Sequence, residues 1–360
     1  MIQKQNMKKL LPKRLGKKDA VADSALGRIT NETVAEHRER ILAGGRKFKY
    51  PIQYAKHKLV INTLIVSLVS IILLAGLGWW QLYVVQNSTT FMYRITKVLP
   101  LPVAMIDGQP VPFDDYLSRY RFNEFWLNKY GEVKLNTKDG KNQLEYIKRH
   151  VLDTALEDAY AQKLAPQYSV SVTDAEVTAM IDSQRNTSNG VISEDTYYSA
   201  LNMTNGWSPD DLKTSLRRTI LRNKVAFSYD TLASEQVRLA EPLVKSANGD
   251  FLKVSEQLAS TKGGKVTAGQ TGFVSNTSTM SGLQVSDVAK VEKDTVAGPI
   301  KATTDDGYYF VKVIDKTDTQ VNFTYLRIPL TMFASKVDEL KKAGKVSEYI
   351  RVPETKQEGI

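Results

Sequence analysis

Residues 59–85 read LVINTLIVSLVSIILLAGLGWWQLYVV, 27 residues without a charge. At 1.5 Å per residue, a helix of that length spans a hydrocarbon core of about 30 Å. Lys56 and Lys58 stand at one end; Trp79, Trp80 and Tyr83 stand at the other, where amphipathic rings favour the headgroup layer. A cleavable signal peptide would pair a short basic region with about 7–15 apolar residues. Here 58 residues precede the run, so an uncleaved, single-pass transmembrane anchor is expected.

The charge pattern orients it. Residues 1–58 hold 15 Lys/Arg against 5 Asp/Glu, which accounts for the whole net charge of +10; the remainder of the 360 residues carries 34 of each sign. A basic flank stays in the cytoplasm, which places the rest of the chain outside the cell membrane. Basic residues near the bilayer also favour anionic lipid. The balanced remainder argues against a nucleic-acid partner, which would require a basic domain. With no cysteine there are no disulfides or thiolate sites. Of the three histidines, His37 and His57 lie on the cytoplasmic side, and His150 has no carboxylate or cysteine at ligand spacing. No metal site and no cofactor is expected.

Beyond the anchor, residues 86–102 are polar and then proline-interrupted, and read as a linker. Residues 103–230 read as an all-helical unit. Pro112–Tyr116 opens a helix to about Tyr130, and Leu144, Ile147, Val151, Ala155, Ala159 and Leu164 form one apolar stripe. Thr173–Glu176 and Ser208–Asp211 are capping boxes. Residues 231–318 mix short helices with strands at 271–274, 299–302 and 308–315, giving a small α+β unit. Residues 319–360 close with strand, helix capped by Thr331, strand and tail. Before the anchor, Thr33–Glu36 resembles a capping box and Gly44-Gly45 a stop, which predicts a helix over 31–43. Pro242 should kink or divide a helix over 234–245. The glycine-rich stretch 263–272 lacks the spacing of a phosphate loop and reads as a turn-rich connection.

Two segments carry a family resemblance. Ala104-Met-Ile-Asp-Gly-Gln-Pro-Val-Pro-Phe-Asp-Asp-Tyr116 resembles the entry to the helical chaperone domain of SurA- and PrsA-type extracytoplasmic foldases, a small strand followed by a polar helix start. Farther on, the order of segments is similar to a parvulin peptidyl-prolyl isomerase domain. Gly249–Ala259 resembles its G-x-D-F-x-x-L-A helix, and Gly269–Phe273 its double-glycine turn. Met280 with Leu283 stands at its M-x-x-F position, and Gly307–Val313 resembles its G-Y-H-I-I-K-V strand. The resemblance places Met280, Leu283 and Tyr309 in the isomerase pocket. There the family has two histidines and a Cys or Asp; this chain has Tyr309 for one histidine, none after His150, and no Cys, Asp or Glu between Ala259 and Gly272. The family's first strand matches either Val225–Tyr229 or, from the far end, Val321–Ile328.

The resemblance implies a membrane-anchored factor whose helical unit binds unfolded or nascent exported polypeptides near the export machinery, with the isomerase fold but without strong catalysis. Candidate client-binding side chains are Phe122, Phe125, Trp126, Tyr197, Tyr198, Met203 and Trp207, which are large, apolar and adaptable. An active prolyl isomerase and a non-catalytic envelope scaffold are the alternatives.

Overall fold

The computed structural model describes residues 30–49, 51–131, 134–187, 190–205, 207–259 and 265–353. The chain divides into two units, Met1–Leu74 and Ala75–Ile360.

The first unit holds α1 (Asn31–Lys49) and most of α2 (Pro51–Trp79), which opens with proline at its first position. The expected stop at Gly44-Gly45 does not occur. Ending a helix at glycine requires a left-handed residue, and neither glycine takes positive φ. Held in the helix, each costs only about 1 kcal/mol relative to alanine. A π-helical turn, Trp80–Val84, extends α2. His57–Val84 is the one helix among the described residues that is long and apolar enough to cross a membrane, and its most apolar stretch is wholly unburied. Within it Thr63 donates its hydroxyl to the Leu59 carbonyl at 2.8 Å, so even this polar group needs no outside partner. The Lys56 side chain lies outside the described residues.

The second unit takes the end of that helix into its core. Leu82 is fully buried. Tyr83 donates its hydroxyl to the Pro102 carbonyl at 2.8 Å and meets Phe113 edge-on at 5.3 Å. The expected linker is therefore not one. It carries α3 (Thr90–Val98), whose Tyr93 and Thr96 are buried in the same core. Arg121 fixes its start by donating to the Ser88 carbonyl and the Thr90 hydroxyl.

An antiparallel hairpin comes next, β1 (Pro102–Ile106) and β2 (Gln109–Pro112), turned by Asp107-Gly108 with both φ positive. Then come α4 (Phe113–Tyr130), α5 (Lys138–Leu164) and α6 (Asp174–Arg185). A two-residue hairpin, β3 (Asn186–Thr187) and β4 (Gly190–Val191), leads to α7 (Glu194–Asn205) and α8 (Pro209–Tyr229). Both expected capping boxes form, at Thr173 and at Ser208.

After these stand α9 (Thr231–Ser246), undivided by Pro242, and α10 (Phe251–Ala259). They precede β5 (Thr267–Ser275), the small pair β6 (Thr279–Met280) and β7 (Leu283–Gln284), α11 (Val285–Val288), β8 (Val296–Lys301), β9 (Gly307–Lys316) and β10 (Gln320–Pro329). The chain closes with α12 (Met332–Lys342) and β11 (Val346–Glu348).

The antiparallel sheet runs β5-β10-β9-β8. Its two-residue period is visible in the packing. Tyr308, Phe310, Leu326 and Ile328 face α9 and α10; Tyr309, Val311, Val313, Val321 and Phe323 face the opposite core, with Leu283 and Val288. Val225–Tyr229 is the end of α8, not a strand, whereas 321–328 lies within the inner strand β10. The sheet lobe thus extends to Pro329, beyond the boundary expected at 318.

After β10 the chain returns to the helical lobe. Phe333, Val337 and Leu340 of α12 join its core, and β11 adds to β1 in a three-stranded sheet, β11-β1-β2. The helical unit is therefore not all-α: its sheet is completed by residues some 240 positions away, a distance that no local pattern encodes. Arg149 of α5 grips the return, binding both Glu348 carboxylate oxygens at 2.6 and 3.0 Å and the Val352 carbonyl at 2.6 Å. Gln86 bridges it to the end of the apolar helix, donating to the Arg351 carbonyl at 2.7 Å while accepting from Lys148 at 2.9 Å.

The sheet lobe is consequently an insertion, and one buried carboxylate sits where both connecting strands pass. Asp230, fully buried, accepts from the Ala233 amide at 2.8 Å to cap α9. Its other oxygen accepts from the amides of Thr331 and Met332 at 2.6 and 2.9 Å. Thr331, expected to cap α12, makes no side-chain cap; Asp230 holds the helix start instead.

Candidate polypeptide-binding surface

The last two turns of α4 place Phe122, Phe125, Trp126 and Tyr130 at helical spacing. Their rings form a run: Phe122 to Trp126 at 6.0 Å, Phe125 to Trp126 edge-on at 6.3 Å, and Trp126 stacked on Tyr130 at 4.6 Å. Lys129 lies 5.3 Å from the Phe125 ring centre and 5.2 Å from that of Tyr130, a cation–π contact at each. Trp207, from the α7–α8 connection, stacks on Phe122 at 6.0 Å. It is only 9% exposed and belongs to a core with Val177, Ile181, Leu212, Leu216 and Ile220.

The seven predicted side chains therefore separate. Trp207 is core. Phe122, Phe125, Tyr197 and Tyr198 are half-buried, the two tyrosines packed on the Trp207 cluster. Trp126 is exposed, and Met203 is 84% exposed. Tyr130, also exposed, completes the run. Its spacing from Phe122 and Trp126, eight and four residues, could have signalled it. Chemically, this is an apolar, polarisable surface with no fixed hydrogen-bond pattern, suited to contact with side chains of varied shape.

A separate cleft of about 490 Å³ lies between α6 and α8 on one side and segment 277–303 on the other, with Met180, Ile220, Asn223, Lys224, Gln284 and Thr303 in its wall. The Asn223 side-chain oxygen is buried there without a hydrogen bond.

The three isomerase-pocket positions do come together, but as packing. Leu283 and Tyr309 are fully buried in one core, with half-buried Met280 against it. Tyr309 donates its hydroxyl to Asp306 at 2.7 Å, and Arg327 holds the same carboxylate at 2.7 and 2.6 Å. Burial, reinforced by Asp306, pushes the Tyr309 phenol far above its ordinary value. It is neutral throughout the physiological range, and its proton is engaged in a structural bond. Among the described residues, no group of three or more His, Cys, Asp or Glu is placed to hold a metal.

Where α4, α5 and α8 meet, the helical lobe buries an ion network that sequence reading missed. Arg119 binds Asp115 at 3.1 Å and also Asp158; Arg222 binds Asp158 at 3.1 Å and reaches Glu157 and, across the lobes, Asp305 at 3.7 and 3.4 Å. Arg218 adds Asp115 at 3.0 Å. These charges are dispersed in sequence, and only the packing of three helices assembles them. Burial raises the Glu157 carboxyl from 4.5 to about 7; Arg222 opposes the shift, and Asp305 and Asp158 add to it. Between those pH values the folded chain holds a proton that the unfolded chain has released, so stability falls as pH rises through the window. Glu157→Gln is expected to flatten that slope and to raise the melting temperature above pH 7. Thermal unfolding of the two proteins from pH 4.5 to 8 checks it.

Residues 52–226 match the family model of a SurA-like N-terminal domain. The match begins at the second residue of α2 and runs through α3, in agreement with a helical lobe whose core includes Leu82 and Tyr93. This domain supports a foldase family of the SurA and PrsA type and points to a chaperone-type function. No curated protein and no solved structure matched the chain.

Proposed function

We propose that the protein is a membrane-anchored extracytoplasmic folding factor that holds non-native exported polypeptides on its helical lobe. The observation that carries this reading is the exposed run of Trp126 and Tyr130 with Met203 on a lobe that resembles a chaperone domain. The apolar helix that starts at His57 crosses the bilayer with the basic residues, Lys58 among them, on the cytoplasmic side and Trp79 and Trp80 at the outer interface, whereas Leu82 and Tyr83, the latter expected at that interface, pass into the core of the second unit. Anchoring concentrates the binding surface where chains emerge from the export machinery. The sheet lobe is parvulin-like in the order of its segments, with the first strand supplied from the far end by β10. Its pocket positions are packed shut, which argues against the alternative of an active prolyl isomerase: the barrier is about 18–20 kcal/mol, and the polar groups beside these positions, Asp306 and Arg327, are engaged with Tyr309 and with each other.

The test is refolding of an aggregation-prone, proline-limited protein with the full chain in nanodiscs. A higher yield at an unchanged slow-phase rate is expected. The triple variant Trp126→Ser, Tyr130→Ser and Met203→Ser should lose most of the gain, while unfolding at the wild-type temperature. An accelerated slow phase would instead establish isomerase activity. No effect on yield or rate would leave a scaffold with a fixed partner.

A further inference from the structure

Helix α3 presents an apolar face that nothing in the second unit covers. Tyr93 and Thr96 point into the core, while Phe91, Val98 and Leu99 are exposed, Val98 by 80%, with half-buried Ile95 between them. At about 100° per residue Phe91, Ile95 and Val98 fall within a sector of roughly 60° of the helix circumference, and Leu99 follows at the helix end. The helix has no acidic residue, and Arg94 and Lys97 lie beyond one edge of the apolar sector. Lys97 is already paired with Asp211; Arg94 is exposed.

The position of α3 identifies the occupant. Only five residues, 85–89, separate it from the end of the apolar helix at Val84. Even fully extended, that connection reaches no more than roughly 20 Å. The real separation is fixed further, because Leu82 and Tyr93 share one core and Arg121 holds both Ser88 and Thr90. Trp79, Trp80, Val84 and Val85 are exposed at the helix end. Resting on the reading of that helix as a membrane anchor, we infer that α3 lies in the outer headgroup layer, with Phe91, Ile95, Val98 and Leu99 dipped toward the acyl chains and Arg94 on anionic headgroups. An amphipathic helix with a basic edge is suited to that layer. The second unit then meets the bilayer at two places, the anchor and α3, and is held in one orientation instead of swinging on a tether.

The absence of cysteine makes the test direct, since any introduced thiol labels alone. Full-length protein carrying Val98→Cys with a nitroxide is reconstituted into phosphatidylcholine–phosphatidylglycerol vesicles, alongside Leu68→Cys in the apolar helix and Met203→Cys at an exposed position of α7. Collision rates with oxygen and with a water-soluble nickel chelate are then measured. For Val98 we expect a severalfold loss of collisions with the chelate relative to Met203, retained collisions with oxygen, and a shallower depth than Leu68. If Leu68 is in lipid while Val98 is as open to the chelate as Met203, the inference fails and the anchor stands. If Val98 is shielded from both reagents, protein covers it, through a second copy or a client, and the inference also fails. If Leu68 itself is open to water, the anchor reading falls and takes this one with it.

Discussion

Asp230→Ala is expected to lower the unfolding free energy of the second unit by about 3–5 kcal/mol, the lower part of the sum for three amides left without an acceptor at roughly 1–3 kcal/mol each, since two of them lie on half-buried residues. The alanine would orphan three amides together: Ala233 at the start of α9, and Thr331 and Met332 at the start of α12. At Ala233 solvent is a poor substitute for the acceptor, because Asp230 and Ala233 are both buried. Asp230→Asn keeps one acceptor oxygen and should cost less, since it abandons the bonds of one side and turns an NH₂ toward a donor. Denaturant unfolding of both variants gives the ranking. Hydrogen exchange should locate the damage in the first turns of α9 and α12, the two passages between the lobes. A loss below about 1 kcal/mol, the worth of an ordinary hydrogen bond, would mean that the lobes are held by their packing alone.

Ending the chain after Ala343 is the second large effect. It removes β11, which pairs with Ala104, Met105 and Ile106, and it removes Ile350 and Val352, both buried in the helical core. Two buried aliphatic side chains contribute about 3–6 kcal/mol in total. Arg149 would also lose Glu348 and the Val352 carbonyl. The shortened protein should unfold at a much lower temperature, with the loss concentrated in the helical lobe, and should expose the edge of β1. Arg149→Ala alone should lose less, because the strand pairing and the two side chains remain. Circular dichroism melts of the three proteins decide this; equal melting temperatures for the full and shortened chains would show that the return segment is dispensable.

The legible parts of the fold are those with local signals. Capping boxes at Thr173 and Ser208 and the stripe from Leu144 to Leu164 specify helices without reference to anything distant. The runs of aromatic and β-branched residues in Tyr308–Val313 and Val321–Ile328 likewise specify strands. Contacts between remote segments are not legible. Nothing near Ile106 says that Val346 will pair with it, and nothing near Thr331 says that its amide will be held by Asp230. The segment 86–102 reads as a linker because Pro100 and Pro102 look like punctuation, whereas the buried Tyr93 and Thr96 of α3 depend on a core assembled from α4. At the candidate surface, sequence supplies the residue types but not which are covered. Trp207 and Trp126 are alike on paper, and packing alone makes one core and the other surface.

The late arrival of β11 has a consequence in time. Ribosomes add roughly 5–20 residues per second, and Val346 follows Ile106 by 240 positions. Its pairing strand therefore reaches β1 on the order of ten to fifty seconds after β1 itself is made. Throughout that interval the outer edge of β1 offers unpaired backbone groups to any neighbouring chain. A nascent copy of this protein is thus open to pairing at the edge of β1 until its last strand has been made.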